Sequence, residues 1–142
     1  MTGRLPPFAT PTVERSRNMA AIHGRDTLLE MRVRRAAHSA GFRFRLHRRD
    51  IPGRPDLVFP RHRVAVFVNG CFWHGHSCSI AHIPRSNSAY WEEKISRNVK
   101  RDERNAAALR DRGWVVICIW ECNVEAGVSD LLTFLATKRM NA

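Results

Sequence analysis

The feature that most constrains this chain is an apolar run, residues 64–68, that leads directly into a segment crowded with reactive side chains. That segment, residues 69–78, reads NGCFWHGHSC and holds two cysteines, two histidines and two adjacent large aromatics. A short apolar run bounded by turn residues is typical of a buried strand. The pattern therefore predicts a buried strand followed by a loop rich in reactive and aromatic side chains. Packing alone does not account for such a loop.

Size and charge indicate one domain with a polyanionic partner. The chain has 142 residues, enough for a single core, and its 24 Lys and Arg against 13 Asp and Glu give a net charge of +11. Arginine dominates this excess, and guanidinium groups suit phosphate contacts and stacking on bases. Nucleic acid is the expected partner, and a basic surface kept for solubility is the alternative.

Nothing in the sequence predicts a membrane location. No apolar run approaches the roughly 20 residues that span a bilayer, and the first residues, MTGRLPP, lack the apolar core of a signal peptide. We therefore expect a cytoplasmic protein. In a reducing compartment its four cysteines favour metal binding or catalysis over disulfides.

The pattern of elements predicts an α/β fold with a small mixed sheet flanked by helices. Residues 1–14 are expected to form a disordered tail, residues 15–25 a basic arm and residues 26–142 a single domain. Thr27 and Glu30 fit a capping box for a first helix that Gly41 ends. The remaining expected elements are strands at 42–46, 55–60, 64–68 and a central one at 114–120, with helices at 89–112 and 129–135.

The cysteines and histidines suggest a structural zinc site. Cys71, His76 and Cys78 are closely spaced, and Cys122 lies at the end of a strand that could neighbour residues 64–68. Three cysteines and one histidine form a common tetrahedral zinc set with no open position. The alternative is ordinary buried cysteines beside a surface histidine. Cys118, in the middle of an apolar strand, is interpreted as a core residue.

Three residues are candidates for catalysis. Asp56 begins a strand beside a basic loop, where it could bind Mg2+ or simply cap the strand. His74 could act as a general base, or be a spare surface histidine, or replace His76 on zinc. Glu30 could support a metal through water, although the capping box alone would explain it.

Other residues suggest contacts with nucleic acid. Phe72 and Trp73 could belong to the core, or could stack on or wedge between bases, as could Met19 on the arm. The charged segment 94–104 could contact phosphates or simply be a solvated helix face.

Taken together, five motifs resemble the very-short-patch-repair (Vsr-type) DNA mismatch endonucleases. They are RSRNM at 15–19, RDTxxE at 25–30, PGRPD at 52–56, GCFWHxHxC at 70–78 and WEC at 120–122. This resemblance implies a restriction-endonuclease-like fold. It also implies nicking of duplex DNA on the 5′ side of the thymine in a T:G mismatch, which arises when 5-methylcytosine deaminates.

The resemblance also implies roles for individual residues. Asp56 and the backbone carbonyl of Val68 would bind Mg2+, His74 would be the general base, and Glu30 would assist as an auxiliary carboxylate. The structural zinc would lie on Cys71, His76, Cys78 and Cys122. Phe72 and Trp73 would intercalate from the major groove, and Met19 would insert from the other side. Further DNA contacts are expected from Arg17, Arg25, Arg54, Lys94 and Asn98.

Two departures and two alternatives accompany this interpretation. The strand at 64–68 lacks the Glu-x-Lys of the wider nuclease fold, an absence that the family shares, and Asn69 stands where relatives can have a histidine.

An inactive, zinc-stapled DNA-binding module and a restriction-type nuclease of the same fold are the alternatives. We expect a monomer, with mismatch-repair proteins as candidate partners.

Overall fold

The computed structural model describes residues 27–78 and 83–141. Its helices and strands, in chain order, are α1 (residues 27–39), β1 (Arg45–Leu46), β2 (Leu57–Phe59), β3 (Val64–Asn69), α2 (Ser88–Asp111), β4 (Val115–Trp120) and α3 (Val124–Met140). This order of one helix, three strands, helix, strand and helix is the predicted one. The expected tail and arm lie outside the described residues.

The four strands form one mixed sheet in the order β1-β2-β3-β4. Strands β1, β2 and β3 pair antiparallel, whereas β3 and β4 run parallel, with Val64 opposite Val115 and Asn69 opposite Trp120. The mixed α/β architecture is therefore confirmed. The expectation that residues 114–120 form a central strand is wrong, because β4 lies at one end of the described sheet.

Helices cover both faces of the sheet, and this explains why β4 is apolar although it lies at an edge. Ile119 packs into the core shared with α1 and α3, while Val116 packs against the cluster that contains Leu109 of α2. The core prediction for Cys118 is also wrong, since its side chain is exposed. Alternation along the strand turns Cys118 away from the face on which Ile119 is buried.

Three element boundaries differ from the sequence predictions. Strand β1 contains two residues, although residues 42–46 were expected to form it, and Leu46 is 43% exposed. Helix α3 begins at Val124, five residues earlier than predicted. Thr27, expected to cap α1, is itself helical. Among the described residues, no helix is long and apolar enough to cross a membrane.

Candidate active site and metal centre

The loop after β3 is held against helix α2 by aromatic packing and a glycine. Phe72 is buried, with its ring centroid 5.4 Å from that of Trp91 and 4.9 Å from that of Trp73. Gly75 has φ +61°, and a Cβ placed there would lie 2.7 Å from Ile95 Cγ2. The close approach and the left-handed backbone both require glycine at this position.

The parallel pairing of β3 and β4 brings the cysteines and the histidine together. Asn69 and Trp120 are register partners at the ends of the two strands, so Cys71 and Cys122 each follow two residues later. One ligand atom from each of Cys71, His76, Cys78 and Cys122 lies within 4.8 Å of the others. His76 Nδ1 is 3.6 Å from Cys71 Sγ and 3.4 Å from Cys122 Sγ. The predicted cluster is therefore assembled, and it could hold a metal ion.

The surroundings of this cluster fit a soft divalent ion. Three sulfurs and one imidazole nitrogen are the donors that zinc takes in closed tetrahedral sites. Burial raises the pKa of Cys71 to about 12, and a bound cation would favour its thiolate form. The ring of His76 stacks on Trp120 at 4.1 Å, and the Cys71 N–H donates to Glu121 Oε1 at 3.2 Å. These contacts fix the orientation of the ligands.

Asp56 lies where β2 begins, beside the end of β3. The N–H of Val68 donates to Asp56 Oδ2 at 2.7 Å. Because the N–H and C=O of one strand residue point to the same edge, the Val68 carbonyl is also directed toward the Asp56 side of the strand. Burial raises the pKa of Asp56, and nearby Glu30 adds to this effect, whereas the Val68 N–H opposes it. The arrangement places two oxygen donors together in a partly buried position.

His74 is oriented by a residue that the sequence did not single out. Its Nδ1 lies 2.6 Å from Asp102 Oδ2 on helix α2. A carboxylate can only accept a hydrogen bond, so Nδ1 carries the proton and Nε2 is left as the basic nitrogen of the neutral ring. Asp102 also contacts Arg101 Nη2 at 3.5 Å. His74 therefore has the geometry of a positioned general base.

Asp56, Val68 and His74 share one cleft of about 470 Å³. Asn69 also lines it and is buried, at the end of β3 and not in the following loop where it was predicted. Arg101, from the charged segment 94–104, also lines the cleft, and so do Asp102 and Asn105, which sequence reasoning did not single out. A signal for them existed, because Asn98, Asp102 and Asn105 are spaced i, i+4 and i+7 and so share one helix face.

The other residues predicted from the sequence are the auxiliary carboxylate Glu30 and the side chains expected to contact DNA. Glu30 accepts hydrogen bonds from Arg34 at 2.9 Å and lies 2.8 Å from His47 Nε2. Asn98 donates to the carbonyl of Trp73 at 2.9 Å, so it supports the aromatic loop. Arg54 lines the cleft and is exposed, and Lys94 is half-buried on α2. The predicted DNA contacts Arg17, Met19 and Arg25 lie outside the described residues.

An α/β fold with an aspartate, a backbone carbonyl and a histidine in one cleft fits metal-assisted hydrolysis, and comparison with known proteins identifies the family. The family model described as DNA mismatch endonuclease Vsr matches residues 9–80. A type II nicking enzyme, V.XorIIP of Xanthomonas oryzae, is 48% identical over 125 residues, 87% of this chain and 88% of the relative. The DNA mismatch endonuclease Vsr of Escherichia coli is 43% identical over 108 residues, 76% of this chain and 69% of the relative.

The chain belongs to the Vsr family of DNA endonucleases. Its fold is accordingly restriction-endonuclease-like, and DNA is its substrate class.

Proposed function

We propose that this chain nicks duplex DNA on the 5′ side of the thymine in a T:G mismatch produced by deamination of 5-methylcytosine. The observation that carries this proposal is the convergence of Asp56, Val68 and His74 on one cleft. The names of its relatives support it, since they include a mismatch endonuclease and nicking enzymes. The meeting of these three groups in one cleft also argues against an inactive binding module.

The cleft provides the groups needed for phosphodiester hydrolysis. Asp56 and the Val68 carbonyl would hold Mg2+, which supplies Lewis-acid polarisation of the scissile phosphate when bound. His74 Nε2 accepts a proton from the attacking water, and Asp102 keeps the opposite ring nitrogen protonated. Glu30 contributes negative charge beside Asp56. The products are a 3′-hydroxyl and a 5′-phosphate.

The four-donor cluster is proposed to hold a structural zinc ion. Cys71, His76, Cys78 and Cys122 would fill all four positions, which leaves no place for a substrate. The ion would tie the loop after β3 to the end of β4. Because the same loop carries His74, the zinc would fix the general base indirectly.

Recognition of the mismatch is proposed to use the aromatic loop and basic side chains. Arg54, Arg101 and Lys94 would contact phosphates, and Met19 would insert from the arm. Phe72 packs against Trp91 in the free protein, so its insertion between bases requires the loop to shift. A fluorescent base analogue beside the mismatch should brighten on binding; no change with wild type would contradict insertion.

The decisive experiment is a nicking assay with Mg2+ on two duplexes that differ only in carrying T:G or T:A. A single nick 5′ of the mismatched thymine is expected, and Asp56→Ala should bind the T:G duplex without cutting it. Equal cutting of both duplexes would support the restriction-type alternative. Binding without cutting by the wild-type chain would support the inactive module. Light scattering of the complex checks the proposed monomer.

A further inference from the structure

A second group of metal-ligating side chains lies beside Asp56, outside the cleft that Val68 and His74 line. One donor atom from each of Glu30, His47 and Asp56 lies within 4.8 Å of the others. Glu30 and His47 do not line the catalytic cleft among the described residues. The Asp56 carboxyl therefore belongs to both groups.

The sheet itself fixes the position of His47. Leu46 and Leu57 are register partners, and the next residue along, His47, donates its backbone N–H to the Asp56 carbonyl at 3.3 Å. His47 has φ +47°, a left-handed conformation that turns the chain at the end of β1. Its side chain is 54% exposed, so an ion in solution can reach the imidazole. Helix α1 supplies Glu30 from the other side.

The contacts within this group bring an imidazole, a carboxylate and the Arg34 guanidinium together. His47 Nε2 lies 2.8 Å from Glu30 Oε1, and Arg34 Nη2 lies 2.9 Å from the same oxygen and 3.1 Å from the same nitrogen. An imidazole nitrogen and a carboxylate oxygen at this separation require a shared proton or positive ion. Among the described residues, Arg34 is a cation that contacts both of these atoms.

The hydrogen bonds of Arg34 do not use every donor and acceptor atom in this group. Its Nε atom is buried and has no hydrogen-bond partner among the described residues. Glu30 receives Arg34 and His47 on the same oxygen, Oε1, and Asp56 receives Val68 on Oδ2. Within the described part of the chain, the second oxygen of each carboxylate is not hydrogen-bonded. Both carboxylates therefore retain an oxygen that can bind a metal ion.

We propose that Glu30, His47 and Asp56 bind a divalent transition-metal ion in preference to Mg2+, with His47 Nε2 as a direct ligand and Arg34 displaced. This inference rests on the proposed function only in taking Asp56 as a metal-binding carboxylate. Mg2+ favours oxygen donors and keeps its waters, whereas imidazole nitrogen suits transition metals. One nitrogen among two carboxylates therefore shifts the selectivity of this position.

The test is Mn2+ bound to the zinc-loaded protein without DNA, studied by electron spin echo modulation. Wild type should show the coupling of a directly bound imidazole nitrogen, and His47→Gln should lose it and bind Mn2+ about tenfold more weakly. The matched control His74→Gln should keep the coupling. Arg34→Gln should tighten Mn2+ binding, because a competing positive charge is removed. Since His47 is exposed, its variant should melt like wild type.

Three results would overturn the inference: no nitrogen coupling in wild type, coupling that persists in His47→Gln, or coupling that is lost in His74→Gln. The ratio of nicking rates in Mn2+ and Mg2+ gives an independent check, because it should fall in His47→Gln. Failure of the proposed function looks different. A chain that shows the nitrogen coupling but does not nick T:G duplexes keeps the metal site and loses the mismatch activity.

Discussion

His74 Nδ1 and Asp102 Oδ2 lie 2.6 Å apart, joining the loop after β3 to the middle of helix α2. The contact fixes which ring nitrogen of His74 is protonated and which is basic. It also explains an acidic residue in a basic helix segment that otherwise looks like a solvated surface.

Asp102→Asn should slow nicking by about 100-fold, because an amide can donate to Nδ1 and so favour the wrong tautomer of His74. Binding of the T:G duplex should change little. Single-turnover nicking and a separate binding titration measure the two effects. Asp111→Asn, at the exposed end of the same helix, is the matched control and should nick at the wild-type rate. A wild-type rate for Asp102→Asn would exclude the positioning role.

Asp56 should make both nicking and stability depend on pH. Burial raises its pKa, so as pH falls the carboxyl becomes protonated, and would lose the proposed Mg2+, at a higher pH than an ordinary aspartate. The stability of the fold depends on pH in the opposite direction: nicking is lost at low pH, whereas the contribution of Asp56 to stability is lost at high pH. Because the pKa of Asp56 is higher in the folded protein than in the unfolded chain, Asp56 contributes stability at a pH below its unfolded-state pKa. This contribution is lost as the pH rises through its folded-state pKa.

Consequently, Asp56→Asn should abolish nicking yet melt at the same or a higher temperature at pH 7 without added Mg2+. Its amide oxygen can still accept the Val68 N–H, while the cost of a buried charge is gone. Thermal melts of both proteins between pH 4 and pH 8 measure the difference. A clear drop in melting temperature at pH 7 would contradict the assignment of Asp56 as a destabilising functional group.

Removing the proposed zinc should unfold much of the domain. Structural zinc contributes on the order of 10 kcal/mol, comparable with the whole stability of a domain this size. Cys122→Ser should lower bound zinc well below one ion per chain and lower the melting temperature. Cys118→Ser, an exposed cysteine outside the cluster, is the control and should keep both values. Elemental analysis with thermal melting gives the result, and full zinc in Cys122→Ser would refute the ligand set.

Gly75→Ala should be more destabilising than Gly113→Ala. Both glycines have positive φ, so both variants lose about 1 to 2 kcal/mol through backbone strain. A Cβ at Gly75 would also lie 2.7 Å from Ile95 and 2.8 Å from Val99, whereas at Gly113 the nearest atom is 3.7 Å away. The overpacking should add about 1 kcal/mol or more in urea unfolding. Equal losses would mean that the loop does not pack tightly on α2.

The sequence predicted the order of elements well and their extents less well. Local apolar runs and turn residues identify strands and helices, because these signals act over a few neighbouring residues. The edge position of β4 and the exposure of Cys118 depend on which strands pair, and periodicity does not encode pairing. Strand β1 was overestimated because alternating residues 42–46 pack on the core only at Phe42 and Phe44.

By itself the sequence determined the family motifs and three members of the proposed zinc cluster, since Cys71, His76 and Cys78 are close along the chain. Only the tertiary structure brought Asp102 to His74 and His47 to Glu30. These partners are 28 and 17 residues apart, and a helix, a strand end and a loop must fold together before they meet. Contacts that depend on packing between elements leave no local pattern, so the surroundings of the candidate catalytic residues emerge only from the fold.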